Sequence, residues 1–386
     1  MKVPKHIRSI CYFYLSRQQF LVNIFMNLTV YIDSTLIENE WLGRLKLPEY
    51  QLCRNLDQFE ADPAEKKIAI VAQRLHCDNE EAYIGFERKI NRLAKISNVV
   101  FSLESELHNF HWQIWDQCHH DNVFWLLPGF VNDRDDINKN IICWGDWFKT
   151  TANLYKALPE VVQDLHEHAY QTKPKYFDMF LGSPKPHRDF VFNSVQEKRL
   201  FEKVVITYGG DWKNDAFYAE DYFVWEPGCT PLQPIIGTAD FVEYKGQRTH
   251  LSQVISVQTM KDCAYSVIAE TDYDNTLTCF TEKSAKPVIA KRMFIAYSGY
   301  KFLHNFRRLG FKTFDCVIDE SYDLEIDDQK RYAMAFEQIE RLMAMDQQEV
   351  YERLKPVLEY NYELLMTRDW DIYSAEQMQL HIDALI

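Results

Sequence analysis

The sequence predicts an α/β fold with two parallel sheets and a helical C-terminus. Short β-branched and aromatic runs alternate with amphipathic stretches along most of the chain, a pattern typical of strands joined by covering helices. The 386 residues suit two domains, and a content of 47% hydrophobic and 26% charged residues is that of a globular protein. No apolar run approaches the roughly 18 residues that a membrane-spanning helix needs.

The first half combines short strands with amphipathic helices. Apolar residues at helical spacing predict a helix over Glu80–Ile96, and a second long helix is expected near Thr151–Tyr170. Strands are predicted at five β-branched or aromatic runs: Leu28–Ile32, Ile68–Ala72, Val99–Leu103, Val123–Leu127 and Ile141–Trp144.

The second half repeats the alternation after Lys173-Pro174, where proline breaks the helical pattern. Six strands are predicted: Phe177–Leu181, Val204–Tyr208, Val254–Val257, Val267–Ala269, Phe294–Tyr297 and Phe314–Ile318. A charged helical block, Asp327–Thr367, follows and is interrupted by Pro356. We therefore predict an N-terminal domain over residues 1–172, a C-terminal domain over 173–326, and C-terminal helices over 327–386 that pack back on the domains.

Within the last block, an apolar stripe recurs at helical spacing: Tyr332, Phe336, Ile339, Leu342 and Met343. We expect it to pack against the first domain, the alternative being the second domain alone.

Charge and cysteine content indicate the cellular setting. The net charge of −14 disfavours a protein that coats nucleic acid. Nine cysteines without a CxxC pair are typical of reduced thiols in a cytoplasmic protein. The first 25 residues resemble a signal peptide only faintly, because Arg17 interrupts their apolar stretch, so we expect an extension or an upstream start.

The segment Glu270–Gly299 carries the strongest chemical signal. Thr281 is a plausible N-cap, which places Glu282 and Lys283 in the first turn of a helix running to Lys291. A helix N-terminus at the carboxyl end of a sheet binds phosphate, and Lys283 adds positive charge there. The alternative is an ordinary helix cap without a ligand.

This segment resembles the family 10 glycosyltransferases, the α-1,3-fucosyltransferases, whose donor motif places an acidic residue, a Thr-Glu-Lys triplet and a glycine in this order. Glu270, Thr281, Glu282, Lys283 and Gly299 match it. Upstream, Arg188 takes the place of the family's diphosphate-binding arginine and Gly209-Gly210 that of its glycine pair.

The resemblance implies a GT-B-like architecture, in which two Rossmann-like domains face each other across a cleft. It implies an inverting, metal-independent transferase that moves a sugar from a nucleotide-sugar to a hydroxyl of a glycan, with no cofactor. Cys279 and Thr271 depart from the family's tyrosine and asparagine, which leaves the donor open between GDP- and UDP-sugars.

The same resemblance places a general base at the end of a strand in the first domain. Glu104 is the first candidate and Glu106 the second. Nearby His108, His111 and Trp112 are expected to line the acceptor site.

Three alternatives remain open from the sequence. The histidines between His108 and His120, with Cys118, could instead serve a metal-dependent hydrolase, although their spacing matches no standard zinc pattern. The strand and acid cluster expected in Gly310–Asp323 resemble phage and viral glycosyltransferase-like proteins, in which case the acceptor would be a hydroxymethylated DNA base. Asp319 or Glu320 could face the crevice at the carboxyl end of this strand, the alternative being a turn followed by a helix cap. A non-catalytic binding protein on the same scaffold is the third.

Overall fold

A computed structural model of the chain describes residues 27–34, 41–73, 80–104, 117–118, 120–209, 226, 228–233 and 240–386. Packing divides the chain into two compact units. Unit 1 comprises Met1–Leu127, Lys139–Ile142 and Asp371–Ile386, and unit 2 comprises Pro128–Asn138 and Cys143–Trp370. The boundary of the predicted functional domains at residues 172–173 stays a prediction.

Fifteen strands lie in the described residues: β1 Leu28–Ile32, β2 Gln51–Cys53, β3 Lys66–Gln73, β4 Val99–Glu104, β5 Val123–Leu127, β6 Gly129–Val131, β7 Ile141–Cys143, β8 Lys175–Phe180, β9 Val204–Thr207, β10 Cys229–Pro231, β11 Phe241–Tyr244, β12 Gln247–His250, β13 Cys263–Ala269, β14 Leu277–Cys279 and β15 Phe294–Tyr297.

The described helices are α1 Leu56–Ala61, α2 Glu80–Ile96, α3 Asp135–Asn138, α4 Asp146–Lys156, α5 Pro159–Glu167, α6 Pro186–Glu197, α7 Val257–Asp262, α8 Glu282–Ile289, α9 Phe302–Arg308, α10 Asp328–Ala344, α11 Gln347–Thr367 and α12 Trp370–Leu385. Short 3-10 turns cover Leu42–Arg44, Phe201–Lys203, Leu251–Gln253 and Glu320–Leu324. Among the residues described, no helix is long and apolar enough to cross a bilayer.

Unit 1 is built on a six-stranded sheet in the order β2-β1-β3-β4-β5-β7. The pairs from β2 to β5 are parallel, and the residues of β1 and β5 are all buried, as expected for strands covered on both faces. The last helix, α12, belongs to this unit. Its His381 ring stacks on Phe124 at 3.9 Å between centroids, and Gln379 accepts the backbone N–H of Lys46 at 2.9 Å.

Unit 2 is built on a four-stranded parallel sheet in the order β15-β13-β8-β9. Strand β13 is buried along its whole length. A three-stranded antiparallel sheet, β10-β11-β12, and the antiparallel pair β6–β14 complete the unit. The predicted α/β class with two parallel sheets and a helical C-terminus is therefore confirmed.

Two predicted strands are wrong. Phe314–Ile318 forms a turn, in which the N–H groups of Val317 and Ile318 both donate to the carbonyl of Phe314, at 2.9 and 3.0 Å. Val254–Val257 also pairs with no strand among the described residues. The N–H of Val254 closes the preceding 3-10 turn instead, and Val257 begins helix α7. Both apolar runs are buried by packing rather than by a sheet.

Helix boundaries also differ from the prediction. The single helix expected near Thr151–Tyr170 is two, α4 and α5, because Pro159 begins the second. Pro356 lies inside α11 without ending it, and the break comes at Met345–Asp346, where Asp346 caps α11. Helix α8 ends at Ile289 instead of Lys291, because Lys291 has a φ of 51°, outside the helical region.

The apolar stripe of α10 lies in unit 2, where Tyr332, Phe336, Ile339 and Leu342 are buried. The Tyr332 ring lies 5.8 Å from that of Phe190 in α6 of the same unit. After Trp370 the chain returns to unit 1 with Asp371–Ile386. The expected contact of the stripe with the predicted first domain, residues 1–172, stays a prediction.

Candidate functional site

The sheet of unit 2 reverses its winding between β8 and β13. From β8 the chain passes to β9 on one side of it, and later to β13 on the other. In open parallel sheets such a switch point leaves a crevice at the carboxyl ends of the two strands, where ligands bind. Here those ends are Phe180 and Ala269. Those site residues predicted in the second half of the chain that the structure describes gather around this point.

Glu270 follows β13 directly, and its side chain is fully buried. Its carboxylate accepts the Thr281 hydroxyl at 2.6 Å, the Thr281 N–H at 3.3 Å and the Ser284 hydroxyl. Burial raises the pKa of Glu270. Thr281 is the N-cap of α8, as predicted, and its hydroxyl accepts the Lys283 N–H at 3.3 Å. The carboxylate therefore ties the end of β13 to the N-terminus of α8.

Lys283 extends from the first turn of α8 toward the strand end. Its ammonium group donates to Glu282 Oε1 at 2.6 Å and to the Thr271 hydroxyl at 3.3 Å. Burial opposes ionisation of Glu282, but the charges of Lys283 and Lys286 outweigh it and lower its pKa. Burial also lowers the pKa of Lys286, whose ammonium donates to the Ser252 carbonyl at 2.9 Å. Lys283 is half-buried and Thr271 is exposed, so the charge lies at the surface of the crevice.

Arg188 lies in the first turn of α6 and is 4% exposed. Its guanidinium donates to the carbonyls of Ser183, Ala269 and Glu270 at 3.0 to 3.3 Å, and to the Ser183 hydroxyl at 3.2 Å. The neighbouring His187 is fully buried, and its Nε2 lies 3.0 Å from the Glu270 carbonyl. Burial lowers the pKa of His187, so the ring is neutral at pH 7 and Nε2 donates.

Three glycines near the switch point, two of them from the predicted motifs, allow close approach of the backbone. Gly182 has a φ of 68°, and a Cβ there would lie 3.2 Å from Arg188 Nη1. The N–H of Gly209 donates to the Gly182 carbonyl at 2.9 Å, which draws the end of β9 to that of β8. Gly299 passes so close to Asp274 that a Cβ would overlap its carbonyl. Gly210 lies outside the described residues.

A small cavity, with about 40 Å³ open to water, lies beside Lys283 on the face of the unit 2 sheet. Its walls combine aliphatic residues such as Ile255 with the buried carboxylates of Asp178 and Glu226. Burial raises the pKa of Asp178, whose Oδ1 accepts the Ser266 hydroxyl at 2.8 Å. A cavity of this size holds a few water molecules and is far smaller than the roughly 300–1,000 Å³ of sites for small organic ligands.

Cys279, Asp319 and Glu320, which the sequence also singled out, make local structural contacts. Cys279 is buried in β14, where it pairs with Gly129 of β6, and burial raises the pKa of its thiol. Glu320 accepts the Thr313 hydroxyl at 2.8 Å and pairs with Arg307, while Asp319 caps the 3-10 turn that follows. These acids stabilise local turns.

The predicted residues of the first half are only partly described. Glu104 is the last residue of β4, at the carboxyl edge of the unit 1 sheet, where its backbone pairs with Gln73. The remaining predicted residues, Glu106, His108, His111 and Trp112, lie outside the described residues. His120, from the histidine cluster, has Nε2 2.6 Å from Asn91 Oδ1. Within the part of the chain that is described, no group of three or more potential metal ligands converges.

Lys185 also lies at this site, although it was not predicted as a site residue from the sequence. Its ammonium donates to the Thr271 carbonyl at 2.5 Å and lies 5.7 Å from the Tyr273 ring centroid. The available signal was Lys185-Pro186: proline favours the first position of a helix and holds the residue before it extended. Lys185 is indeed the extended N-cap of α6, with φ −155° and ψ 152°.

No protein-family model matches the chain, and no curated protein does. A crystal structure of an α1,3-fucosyltransferase aligns with 93% of this chain and 89% of its own length, at 10% identity and a TM-score of 0.38. So loose an overlap decides neither fold nor activity. These comparisons give no support to the predicted likeness to phage and viral proteins.

Proposed function

We propose that the protein is a glycosyltransferase that uses a nucleotide-sugar and binds this donor at the switch point of the unit 2 sheet. The observation that carries the proposal is the convergence of Lys283, the N-terminus of α8 and the carboxyl end of β13 on the exposed Thr271. An ammonium group at a helix N-terminus, where the helix dipole is positive, is complementary to a diphosphate.

The chemistry follows from where charge develops. In transfer from a nucleotide-sugar, the bond between the anomeric carbon and the diphosphate breaks, and negative charge grows on the leaving phosphate. Groups fixed in advance around that phosphate stabilise the transition state more than the ground state. Lys283 is fixed in this way, because Glu282 and Thr271 hold its ammonium group.

The cavity beside Lys283 is too small to hold a base and ribose, since only about 40 Å³ of it is open to water. The proposal therefore rests on the polar groups at the switch point and not on this cavity. We leave the donor as a GDP- or UDP-sugar.

We further propose an inverting reaction of GT-B type, with residues 1–172 binding the acceptor and residues 173–326 the donor. Glu104, at the carboxyl edge of its sheet, would take the proton from an acceptor hydroxyl of a glycan. Glu106 is the second candidate, and His108, His111 and Trp112 remain proposed acceptor contacts. No metal ion is required in this proposal, so protein treated with EDTA should keep its turnover.

A panel of UDP- and GDP-sugars tests the proposal. Calorimetric titration of each donor gives its affinity, and release of free nucleotide in the presence of mixed glycan acceptors gives turnover. We expect one nucleotide class to bind at micromolar concentrations and to be consumed. A folded protein that binds no UDP- or GDP-sugar would refute the donor site, and binding without any release would favour the non-catalytic alternative.

A further inference from the structure

Three consecutive carbonyl groups at the end of β13 are held by one short basic segment, Lys185–Arg188. Arg188 donates to the carbonyls of Ala269 and Glu270 at 3.2 and 3.3 Å. His187 donates to that of Glu270 at 3.0 Å, and Lys185 to that of Thr271 at 2.5 Å. The first turn of α6 therefore fixes the backbone on which the donor site is built.

The members of this segment differ in exposure. Arg188 is 4% exposed, and its two terminal nitrogens already serve four acceptor atoms. Contact with a ligand phosphate would require these buried hydrogen bonds to break, which costs more than one phosphate contact returns. Gly182 lies beside the guanidinium, since a Cβ there would be 3.2 Å from Arg188 Nη1.

Lys185 is placed differently. It is half-buried, and its ammonium reaches the carbonyl of the exposed Thr271 while Lys283 reaches the hydroxyl of the same residue. Two ammonium groups from different helices thus meet at one residue at the mouth of the crevice. The Glu282 carboxylate, which accepts the Lys283 ammonium group at 2.6 Å, balances one of these positive charges, and a diphosphate would supply the negative charge to balance the other.

We propose that Lys185, together with Lys283, binds the diphosphate of the donor, and that Arg188 is a positioning residue that acts through the carbonyls of Ala269 and Glu270. This inference rests on the proposed function. Lys185 would thereby make the diphosphate contact that the resemblance to the α-1,3-fucosyltransferases implies for Arg188.

The experiment compares nucleoside monophosphate with diphosphate. The affinities of UMP, UDP, GMP and GDP are measured by calorimetry for the wild type and for Lys185→Gln, Lys185→Arg and Arg188→Gln, with thermal denaturation of each free protein. The ratio of monophosphate to diphosphate dissociation constants isolates contacts with the second phosphate. Lys198→Gln is the matched control, because Lys198 lies at the other end of α6 and pairs with Glu340.

We expect Lys185→Gln to reduce this ratio about tenfold, the usual effect of losing a charged hydrogen bond, with a melting temperature close to that of the wild type. Lys185→Arg should restore much of the ratio, because the charge is kept. Arg188→Gln should lower the melting temperature and weaken both nucleotides in proportion, leaving the ratio unchanged.

The inference is wrong if the ratio of monophosphate to diphosphate dissociation constants falls in Arg188→Gln but not in Lys185→Gln. If Arg188→Gln does not fold, an unchanged ratio in Lys185→Gln is sufficient to overturn the inference. A wild type that binds none of the four nucleotides refutes the proposed function before any variant is made, and the inference falls with it.

Discussion

The hydroxyl of Thr281 donates to Oε2 of Glu270 at 2.6 Å, and this bond joins the end of β13 to the N-cap of α8. Glu270 is fully buried, so its carboxyl group exchanges water for the hydroxyls of Thr281 and Ser284. Its position makes the geometry of the candidate site depend on one buried acid.

Glu270→Gln should therefore destabilise the protein in a pH-dependent way. The amide cannot accept all the hydrogen bonds of the carboxylate, which costs about 1–3 kcal/mol. Burial raises the pKa of Glu270 in the folded state. A raised acid pKa means that the contribution of this group to stability is greatest below its unfolded pKa of about 4.3 and is lost as pH rises through the folded value.

Urea denaturation of the wild type and Glu270→Gln between pH 5 and pH 8 measures this effect. The difference in the free energy of unfolding should be largest at pH 5 and shrink toward pH 8. A difference that stays constant or grows with pH would contradict the assignment.

Lys283→Ala should lower transfer by about 10²-fold or more, because it removes a preorganised charge from the leaving diphosphate. Steady-state nucleotide release with the responding donor measures it. Lys330→Ala is the matched control: its side chain is 66% exposed and pairs with Glu325, away from the switch point. Near-normal transfer by folded Lys283→Ala would exclude the proposed donor site.

Glu104→Gln should abolish most of the transfer while leaving donor binding unchanged. A general base contributes about 10²–10⁴-fold to such a reaction, and the amide cannot accept the proton. Transfer rate and donor affinity are measured in parallel for Glu104→Gln and Glu106→Gln. Loss of transfer in the Glu106 variant alone would move the base to Glu106, and normal transfer in both would refute a base at this strand end.

Features that depend on residues close together in the sequence were predictable, and contacts between distant residues were not. The strands Val123–Leu127 and Phe294–Tyr297 match the prediction residue for residue, because short continuous apolar runs specify buried strands locally. The cap at Thr281 was predictable for the same reason, since its hydrogen bond to Lys283 spans two residues.

Contacts between distant segments were not predictable in this way. Lys185 and Thr271 are 86 residues apart, and nothing in either local sequence indicates that they meet. The short strand β6 pairs with β14, which lies far from it in the sequence. Its three residues are too few to show a recognisable strand pattern. Burial of Arg188 behind the carbonyls of β13 likewise depends on tertiary packing, whereas the sequence shows only an arginine in the first turn of a helix.

The stacking of His381 on Phe124 predicts how unit 1 responds to acid. Burial lowers the pKa of His381, so its contribution to stability is present above the unfolded pKa of about 6.5 and is lost as pH falls through the folded value. His381→Phe keeps a ring against Phe124, which lies 3.9 Å away between centroids, but removes the titrating group. We expect the variant to lose less stability than the wild type between pH 8 and pH 5, measured by urea denaturation. His168→Gln serves as control, because His168 is the half-buried C-cap residue of α5, in unit 2. If the free energy of unfolding changes with pH in the same way in the wild type and in His381→Phe, protonation of His381 does not affect stability.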